Sequence, residues 1–261
     1  MDSELIVTRR EAGIGRIVLN RPQLLNAIDI PMLLALESAL IDMEDDTGVR
    51  VVVITGAGDK AFLAGGDIRD LNSRRALEHY EQFADLVHRV FSRFEDSDKP
   101  NIAAVNGYAL GGGMELILAT DIRFAAETAR LGLTEINLGL FPGGGGTQRL
   151  PRQVPSCVAR ELMFSGRHIT AAEAQQVGII NRVVPKEQLD AEVDSLARTI
   201  ASKSALALKF LKRTIRQADE MHLSAGLAYE RSMISLLFES ADAHEGCSAF
   251  LEKRKPKFTG Q

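Results

Sequence analysis

The stretch of sequence that indicates the fold most clearly is Asn106-Gly-Tyr-Ala-Leu-Gly-Gly-Gly-Met-Glu115. The apolar run 102–106 that leads into this stretch predicts a buried strand, and Gly112–Ala119 predicts a helix. Glycine is a poor helix former, but it lets a ligand approach the main chain closely. We therefore expect the N–H groups at this strand-to-helix junction to contact a ligand.

A second glycine-rich stretch, Leu63-Ala-Gly-Gly-Asp-Ile68, also places bare N–H groups beside an acidic residue. Two N–H donors from separate segments can converge on one carbonyl oxygen and stabilise the negative charge that develops there. The two stretches together therefore predict an oxyanion hole.

Two glutamates are the candidate acid–base groups. Glu115 closes the first stretch, and Glu135 lies in the apolar stretch Leu131-Gly-Leu-Thr-Glu-Ile-Asn-Leu-Gly-Leu-Phe-Pro142. Each also has a simpler explanation, Glu115 as a first-turn acid that complements a helix dipole and Glu135 as a solvent-facing loop residue. Apolar surroundings would raise the pKa of Glu135 and suit it to proton transfer.

Two further glycine motifs predict structure rather than chemistry. Gly56, Gly58 and Ala61 formally match a dinucleotide-binding fingerprint, but no helix is predicted directly after them, so a plain strand-to-loop turn is favoured. The stretch Phe141-Pro-Gly-Gly-Gly-Gly-Thr-Gln-Arg149 lacks the Gly-Lys-Ser/Thr ending of a phosphate loop. It is interpreted as a structural turn before a helix at Thr147.

Short apolar runs alternate with helical periodicity through the first two thirds of the chain. Asp29 is placed to cap a helix that extends to about Glu44. The predicted strands are Ile14–Leu19, Val49–Ile54, Ile102–Asn106, Asp121–Ala125, Arg130–Leu133 and Ile180–Val184. Further helices are predicted at Ala76–Glu95, Gly112–Ala119 and Thr147–Val154. Strands separated by helices favour an α/β or layered ββα architecture.

The remainder of the chain carries helical periodicity alone. Helices are predicted at Lys186–Lys203, Ala205–Gln217, Ser224–Glu239 and Asp242–Arg254. We therefore divide the chain into an α/β core, residues 1–195, and a C-terminal helical region, residues 196–261, with no Gly/Ser linker between them.

Composition and charge argue against several classes of protein. The formal net charge of −4 disfavours a general nucleic-acid binder. Cys157 and Cys247 stand far apart without metal-ligand spacing, so we expect inert thiols and neither a metal site nor a disulfide framework. No apolar run approaches the roughly 20 residues that cross a bilayer, and the N-terminus lacks the order of a signal peptide. We expect no membrane partner and a cytoplasmic protein.

Five motifs of this chain occur together in one known family. They are Arg21-Pro…Asn26-Ala, Lys60-Ala-Phe-Leu-Ala-Gly-Gly-Asp67, Asn106–Glu115, Glu135-Ile-Asn-Leu-Gly and Pro142-Gly-Gly-Gly-Gly-Thr-Gln-Arg-Leu150. Their combination resembles the enoyl-CoA hydratases of the crotonase superfamily, and the resemblance runs nearly the whole chain. It implies a spiral of ββα turns with a C-terminal helical trimerisation region, in which trimers often pair into hexamers.

The resemblance also implies a reaction, the addition of water across the double bond of a 2-trans-enoyl-CoA to give 3-hydroxyacyl-CoA. It places the thioester oxygen between the N–H groups of Gly66 and Gly112. It makes Glu115 the base that activates water and Glu135 the acid that protonates C2, with no metal or redox cofactor, since coenzyme A is part of the substrate. Further substrate contacts are implied for Lys60, Ala64, Gly65, Gly66, Asp67, Ile68, Arg69, Gly112 and Lys253.

The chain departs from the family pattern at two positions. Gly66 stands where hydratases commonly have alanine, which leaves the N–H in place, and Gln23 replaces a frequent lysine. The far wall of the acyl pocket is expected from Ile68–Tyr80 and Phe83.

Three alternatives stay open at this point. The family includes double-bond isomerases and hydratases of branched substrates such as 3-methylglutaconyl-CoA, to which Pro142–Arg152 is similar. That branched-substrate group has RNA-binding members with a lysine-rich helix, whereas Met32–Glu44 contains no lysine. We expect an acyl-CoA substrate, no nucleic acid, and a homotrimer or dimer of trimers.

Overall fold

The predicted apolar strands assemble into a parallel-rich sheet in the computed structural model, which describes residues 4–260. Six strands lie in the order β1-β2-β3-β5-β7-β10, and four lie in a second sheet in the order β4-β6-β8-β9. The strands are β1 (Ile6–Glu11), β2 (Ile14–Leu19), β3 (Val51–Gly56), β4 (Ala61–Leu63), β5 (Asn101–Val105), β6 (Tyr108–Leu110), β7 (Ile122–Ala126), β8 (Arg130–Gly132), β9 (Ile169–Thr170) and β10 (Arg182–Val184).

The two sheets are built by a repeated ββα unit. Each of three successive passes gives one strand to the large sheet and the next to the small one, as β3 and β4, β5 and β6, and β7 and β8. All strand pairs along the line β2-β3-β5-β7 are parallel, so the passes wind in one direction. This arrangement confirms the α/β spiral that the resemblance implied.

Helices follow the strands and then continue alone to the C-terminal region. Three-residue and four-residue 3₁₀ turns lie at Pro22–Leu24, Glu135–Leu138 and Lys186–Gln188, and a π-helical segment, His79–Ala84, joins α3 to α4 as one continuous helix. The helices are α1 (Ile30–Asp45), α2 (Ile68–Ser73), α3 (Ala76–Glu78), α4 (Asp85–Asp96), α5 (Gly112–Leu118), α6 (Gly146–Gln153), α7 (Ser156–Ser165), α8 (Ala171–Gln176), α9 (Leu189–Ala201), α10 (Ala205–Gln217), α11 (Leu223–Leu237) and α12 (Ala241–Leu251).

The core lies on both faces of the large sheet because its strands are apolar on both sides. In β3, Val52 and Ile54 join the larger apolar cluster between the sheets, whereas Val51 and Val53 join a cluster covered by α9. Val193 and Ala197 of α9 both belong to that second cluster. The boundary at residue 195 therefore falls inside one packed helix, and the division of the chain into two units stays a prediction.

The structure differs from the predicted elements mainly in its shortest pieces. The predictions omitted β1, β4, β6, β9, α2, α7 and α8. Strands of two or three residues, such as β4, β6 and β9, are too short to show an alternation of apolar and polar residues. The strand β1 was omitted because it is an edge strand, exposed along much of its length, and its sequence is polar. The predicted strand Val49–Ile54 begins two residues later, and Asp29 caps α1 as expected, accepting a hydrogen bond from the Met32 N–H at 3.0 Å.

The C-terminal helices leave large apolar side chains in solvent. No residue of α11 is buried, and Leu223, Phe250 and Leu251 are 78, 83 and 80% exposed. Between residues 4 and 260, no helix combines the length and the apolar character that crossing a bilayer requires.

Candidate active site

The two glycine segments meet at the junction of β4 with α2 and of β6 with α5. An atom placed as Cβ on Gly112 would lie 3.8 Å from the Gly65 Cα, and one on Gly111 would lie 3.7 Å from it. Neither the Gly66 N–H nor the Gly112 N–H donates a hydrogen bond to another group within residues 4–260. The predicted pair of donors is therefore brought together with both N–H groups available.

Each available N–H follows a glycine that holds a left-handed conformation. Gly65 has φ +104° and Gly111 has φ +51°, backbone angles that L side chains rarely adopt. Such a residue turns the next peptide plane, which is how Gly66 and Gly112 come to present their N–H groups outside the regular ladders. Sequence reasoning chose the donors but did not identify Gly111 as the residue that turns one of them.

The segment that carries Gly66 is held from the opposite side by a buried asparagine. Asn26 accepts a hydrogen bond from the Arg21 N–H at 2.9 Å, and its Nδ2 donates to the carbonyls of Ala57, Ala61 and Phe62 at 2.9–3.2 Å. The Arg21 guanidinium then bridges the N-cap carboxylates of α1 and α2, reaching Asp29 at 2.9 Å and Asp67 at 3.1 Å.

Glu115 is buried, 3% exposed, at the first turn of α5. Its Oε1 accepts hydrogen bonds from the Gly144 N–H at 2.7 Å and the Gly146 N–H at 2.8 Å. Burial raises the pKa of this carboxyl, while the two N–H donors and the nearby Arg149 charge oppose that rise. The stretch 141–149 forms a turn directly before α6, as predicted, and it also supplies the hydrogen-bond donors that hold Glu115.

Arg149 fastens this loop to the helix behind it. Its Nη1 donates to the Gly144 carbonyl at 3.0 Å, and its guanidinium pairs with Glu95 of α4 at 2.7 and 2.9 Å. The loop is thereby fixed on both sides, to Glu115 through its N–H groups and to α4 through Arg149.

Glu135 begins the 3₁₀ turn after β8 and lies against the first glycine segment. An atom placed as Cβ on Gly111 would lie 3.1 Å from the Glu135 Oε1, so the carboxyl borders the residue that precedes the Gly112 donor. Its Oε2 is buried without a hydrogen-bond partner in the described chain. Burial, and next the charge of Glu115, raise the pKa of Glu135 to about 7. Two neighbouring carboxyls with raised pKa values mark a site suited to proton transfer.

Phe83 and Val87 belong to the larger apolar cluster, and Leu71 packs against it; these three residues are called the apolar wall, which borders Gly66 at one end and Gly144, beside Glu115, at the other. The Leu71 Cδ1 lies 2.8 Å from where a Cβ on Gly66 would stand, and the Val87 Cγ1 lies 2.9 Å from a Cβ position on Gly144. Phe83 lies four residues before Val87 in the same continuous helix and is also buried. Ile68, Leu77 and Tyr80 of the expected far wall are exposed, and the extent of that wall stays a prediction.

The remaining predicted contact residues occupy three different surroundings. Ala64 donates its N–H to the Leu25 carbonyl at 3.1 Å, and Asp67 caps α2 by accepting from the Arg69 N–H at 3.0 Å. Ile68, Lys60 and Arg69 are exposed, and neither cation forms a salt bridge in the described part of the chain. Lys253 follows α12, and no hydrogen bond or ion pair within residues 4–260 joins it to the glycine segments. Its contact with substrate stays a prediction.

Cys157 and Cys247 are exposed free thiols.

The fold and the site define a class, proteins in which backbone donors and two carboxyls meet in a ββα spiral. The family model described as enoyl-CoA hydratase/isomerase matches residues 9–261. The chain belongs to this family, within the crotonase superfamily, and is an enzyme of the hydro-lyase class.

Three relatives illustrate how far the likeness extends. The crotonyl-CoA hydratase of Syntrophomonas wolfei is 40% identical over 258 residues, which cover 99% of each chain. The 2,3-dehydroadipyl-CoA hydratase of Escherichia coli is 43% identical over 99% of this chain and 100% of its own. The crystal structure of an enoyl-CoA hydratase from Bacillus anthracis superposes with a TM-score of 0.95 at 37% identity, covering 98% of this chain and 100% of that one.

Proposed function

We propose that this enzyme adds water across the double bond of a 2-trans-enoyl-CoA and so forms a 3-hydroxyacyl-CoA. The observation that carries the proposal is the pair of carboxyls near the Gly112 N–H: Glu115 is buried three residues after Gly112 in α5, and the half-buried Glu135 lies against Gly111. Relatives named as hydratases of crotonyl, short-chain and 2,3-dehydroadipyl thioesters support this reaction class.

The oxyanion hole is proposed to consist of the Gly66 and Gly112 N–H groups. Attack of water on C3 moves electron density onto the thioester oxygen, and fixed donors at about 2.7–3.1 Å from that oxygen stabilise the charge. Because both donors are held in place before substrate binds, no reorganisation is needed when the charge develops. An acyl-CoA whose carbonyl lies between them has its C2–C3 bond directed toward the two carboxyls.

The carboxyls then move the protons. Glu115, held as an acceptor by the Gly144 and Gly146 N–H groups, takes a proton from the attacking water. Glu135, with a pKa of about 7, holds a proton in a substantial fraction of molecules at neutral pH and delivers it to C2. Dehydration exchanges the two roles. One turnover leaves Glu115 protonated and Glu135 ionised, and exchange of one proton from Glu115 back to Glu135 through solvent restores both groups, so that water is the only reactant consumed.

The test is hydration of crotonyl-CoA by Glu115→Gln and Glu135→Gln variants. We expect each to lower kcat by about 10²–10⁴-fold, the range for a positioned acid or base, with the fold retained. Glu127→Gln is the matched control, because Glu127 is exposed in the turn between β7 and β8. A wild-type rate in either site variant contradicts the two-carboxyl mechanism.

Double-bond isomerisation is the second candidate, since a carboxyl with a pKa of about 7 can both accept and return a proton near neutral pH. Product analysis of 3-hexenoyl-CoA distinguishes the two reactions. Accumulation of 2-hexenoyl-CoA without 3-hydroxy product would favour the isomerase, and a single 3-hydroxy product from 2-enoyl thioesters favours the hydratase.

We also propose that the enzyme is a homotrimer or a dimer of trimers. A helix with no buried residue and exposed large apolar side chains is not stable alone in water, so a further copy of the chain would cover α11 and α12. Light scattering at micromolar concentration measures the mass directly. A monomer would refute the proposal.

A further inference from the structure

One arginine beside the apolar wall is buried with an unused donor. The Arg74 side chain, just after α2, is only 4% exposed. Its Nη2 pairs with Asp70, yet its Nη1 is buried and has no hydrogen-bond partner within the described residues. A buried donor left unpaired costs about 1–3 kcal/mol, and more when it is charged, so such a group suggests a partner that arrives with the ligand.

The position of Arg74 is fixed by aromatic stacking. Its guanidinium carbon lies 4.4 Å from the centroid of the Phe83 ring, which is one member of the apolar wall. Phe83 belongs to the π-helical segment His79–Ala84, a rare local geometry that occurs frequently at functional sites. Asp70 balances the charge of Arg74 and Phe83 holds its plane, so the free Nη1 has a defined position.

A path of contacts links this donor to the carboxyls. Val87 lies one helical turn beyond Phe83 and borders Gly144, whose N–H is bonded to Glu115. At its other end, the wall borders the Gly66 donor through Leu71. The proposed path of the acyl chain runs from Gly66 and Gly112 along this wall, where the Arg74 guanidinium lies over Phe83.

We propose that the enzyme takes enoyl-CoA substrates whose acyl chain ends in a carboxylate, and that Arg74 binds that carboxylate through Nη1. This inference rests on the proposed hydratase function and names its substrate class. A carboxylate suits the site because guanidinium donors bind it with charge-assisted hydrogen bonds in a planar geometry. An alkyl end would gain no hydrogen bond from the Nη1, so a carboxylate end is favoured over it.

The experiment compares dicarboxylic and monocarboxylic thioesters of equal length. Hydration of 2-hexenedioyl-CoA and 2-octenedioyl-CoA is measured beside 2-hexenoyl-CoA and 2-octenoyl-CoA, with kcat and KM for each. We expect at least one diacid to exceed its neutral partner by about 10–100-fold in kcat/KM, the range for a hydrogen bond between charged groups. Arg74→Met should remove this preference while hydration of the neutral thioesters continues.

The control variant is Arg75→Met, because Arg75 is the neighbouring residue and is exposed. It changes the net charge by the same amount and should keep the preference for the diacid. Arg74→Lys should retain part of it. Binding of adipyl-CoA against hexanoyl-CoA, measured by calorimetry with the wild-type enzyme, reports the same preference without turnover and without relying on a variant that folds.

The outcomes separate the two proposals. Hydration of neutral thioesters as fast as the diacids, with equal binding of adipyl-CoA and hexanoyl-CoA, overturns the role of Arg74 and leaves the hydratase proposal intact. No hydration of any thioester, with tighter binding of adipyl-CoA, overturns the hydratase proposal and supports the carboxylate site. A diacid preference that survives Arg74→Met overturns the assignment to Arg74.

Discussion

Gly144→Ala should displace the Glu115 carboxylate without altering any reacting group. A Cβ at this position would lie 2.7 Å from the Glu115 Oε2, 3.1 Å from its Cδ and 2.9 Å from the Val87 Cγ1, whereas ordinary contacts begin at 3.4 Å. The carboxylate is held by the N–H of the substituted residue itself, so it cannot move away without lengthening that bond. We expect the carboxylate to shift by about 0.5–1 Å, enough to avoid the overlap.

A displacement of this size at a proton-transferring group costs about 10²-fold in rate. We therefore expect kcat for crotonyl-CoA to fall by about that factor, while KM changes little because the substitution lies away from the glycine donors. The rate is followed by the loss of the absorbance of the conjugated thioester. Thermal unfolding by circular dichroism confirms that the variant is folded.

Gly143→Ala is the matched control in the same loop. Its added Cβ would meet only the Phe141 carbonyl at 3.8 Å, an ordinary contact, and Gly143 has no left-handed φ. We expect a rate within about twofold of the wild type, as for substitutions that meet no steric conflict. Full activity in Gly144→Ala, or an equal loss in both variants, would show that the N–H groups of this loop do not position Glu115.

Three further outcomes follow from the geometry. Gly66→Ala should keep kcat within about threefold of the wild-type value, because the N–H donor is retained and the added Cβ meets only the flexible Leu71 side chain, at 2.8 Å. A large loss of kcat would contradict this. Asn26→Ala should lower the free energy of unfolding by roughly 3 kcal/mol, since the carbonyls of Ala61 and Phe62, which are buried, and of Ala57, which is part-buried, lose this donor. Urea denaturation beside the exposed control Asn72→Ala checks it. Glu135 binds its proton more tightly in the folded state than in the unfolded state, so it does not affect stability below pH 4.5 and destabilises the folded state as pH rises from 4.5 to about 7. Over that window the wild type should lose on the order of 3 kcal/mol of unfolding free energy relative to Glu135→Gln. A difference between the two proteins that does not change with pH would refute the raised pKa.

Local patterns sufficed for the parts of this enzyme that depend on neighbours in sequence. The cap at Asp29, the periodicity of α10 and the strand β2 were predicted with their bounds or within one residue. Glycine runs beside acids also singled out the two glycine segments, and the family resemblance assigned the donors to Gly66 and Gly112; the roles of these glycines and of the two glutamates stay predictions.

The parts that could not be predicted depend on pairings between distant residues. Glu115 is held by N–H groups that lie 29 and 31 residues further along the chain, and nothing in 141–149 itself indicates that its glycines face a carboxylate. The stacking of Arg74 on Phe83 spans fewer residues, but it depends on how the π-helical segment that contains Phe83 turns back onto the end of α2. Such contacts depend on how the spiral brings separate segments together, and the residue pattern of a single segment carries no information about that.

The Asn26 anchorage has a consequence for how this enzyme can diverge. Asn26 and Arg21 fix the donor segment from the side of α1, whereas the residues proposed to meet the acyl chain, Leu71, Arg74 and Phe83, lie on the side of α2 and α4. Substitutions in 68–87 can therefore change which acyl group is accepted while the donor that stabilises the charge keeps its place. Natural or directed evolution toward a new substrate can therefore vary this contiguous segment of about twenty residues without displacing the N–H donors.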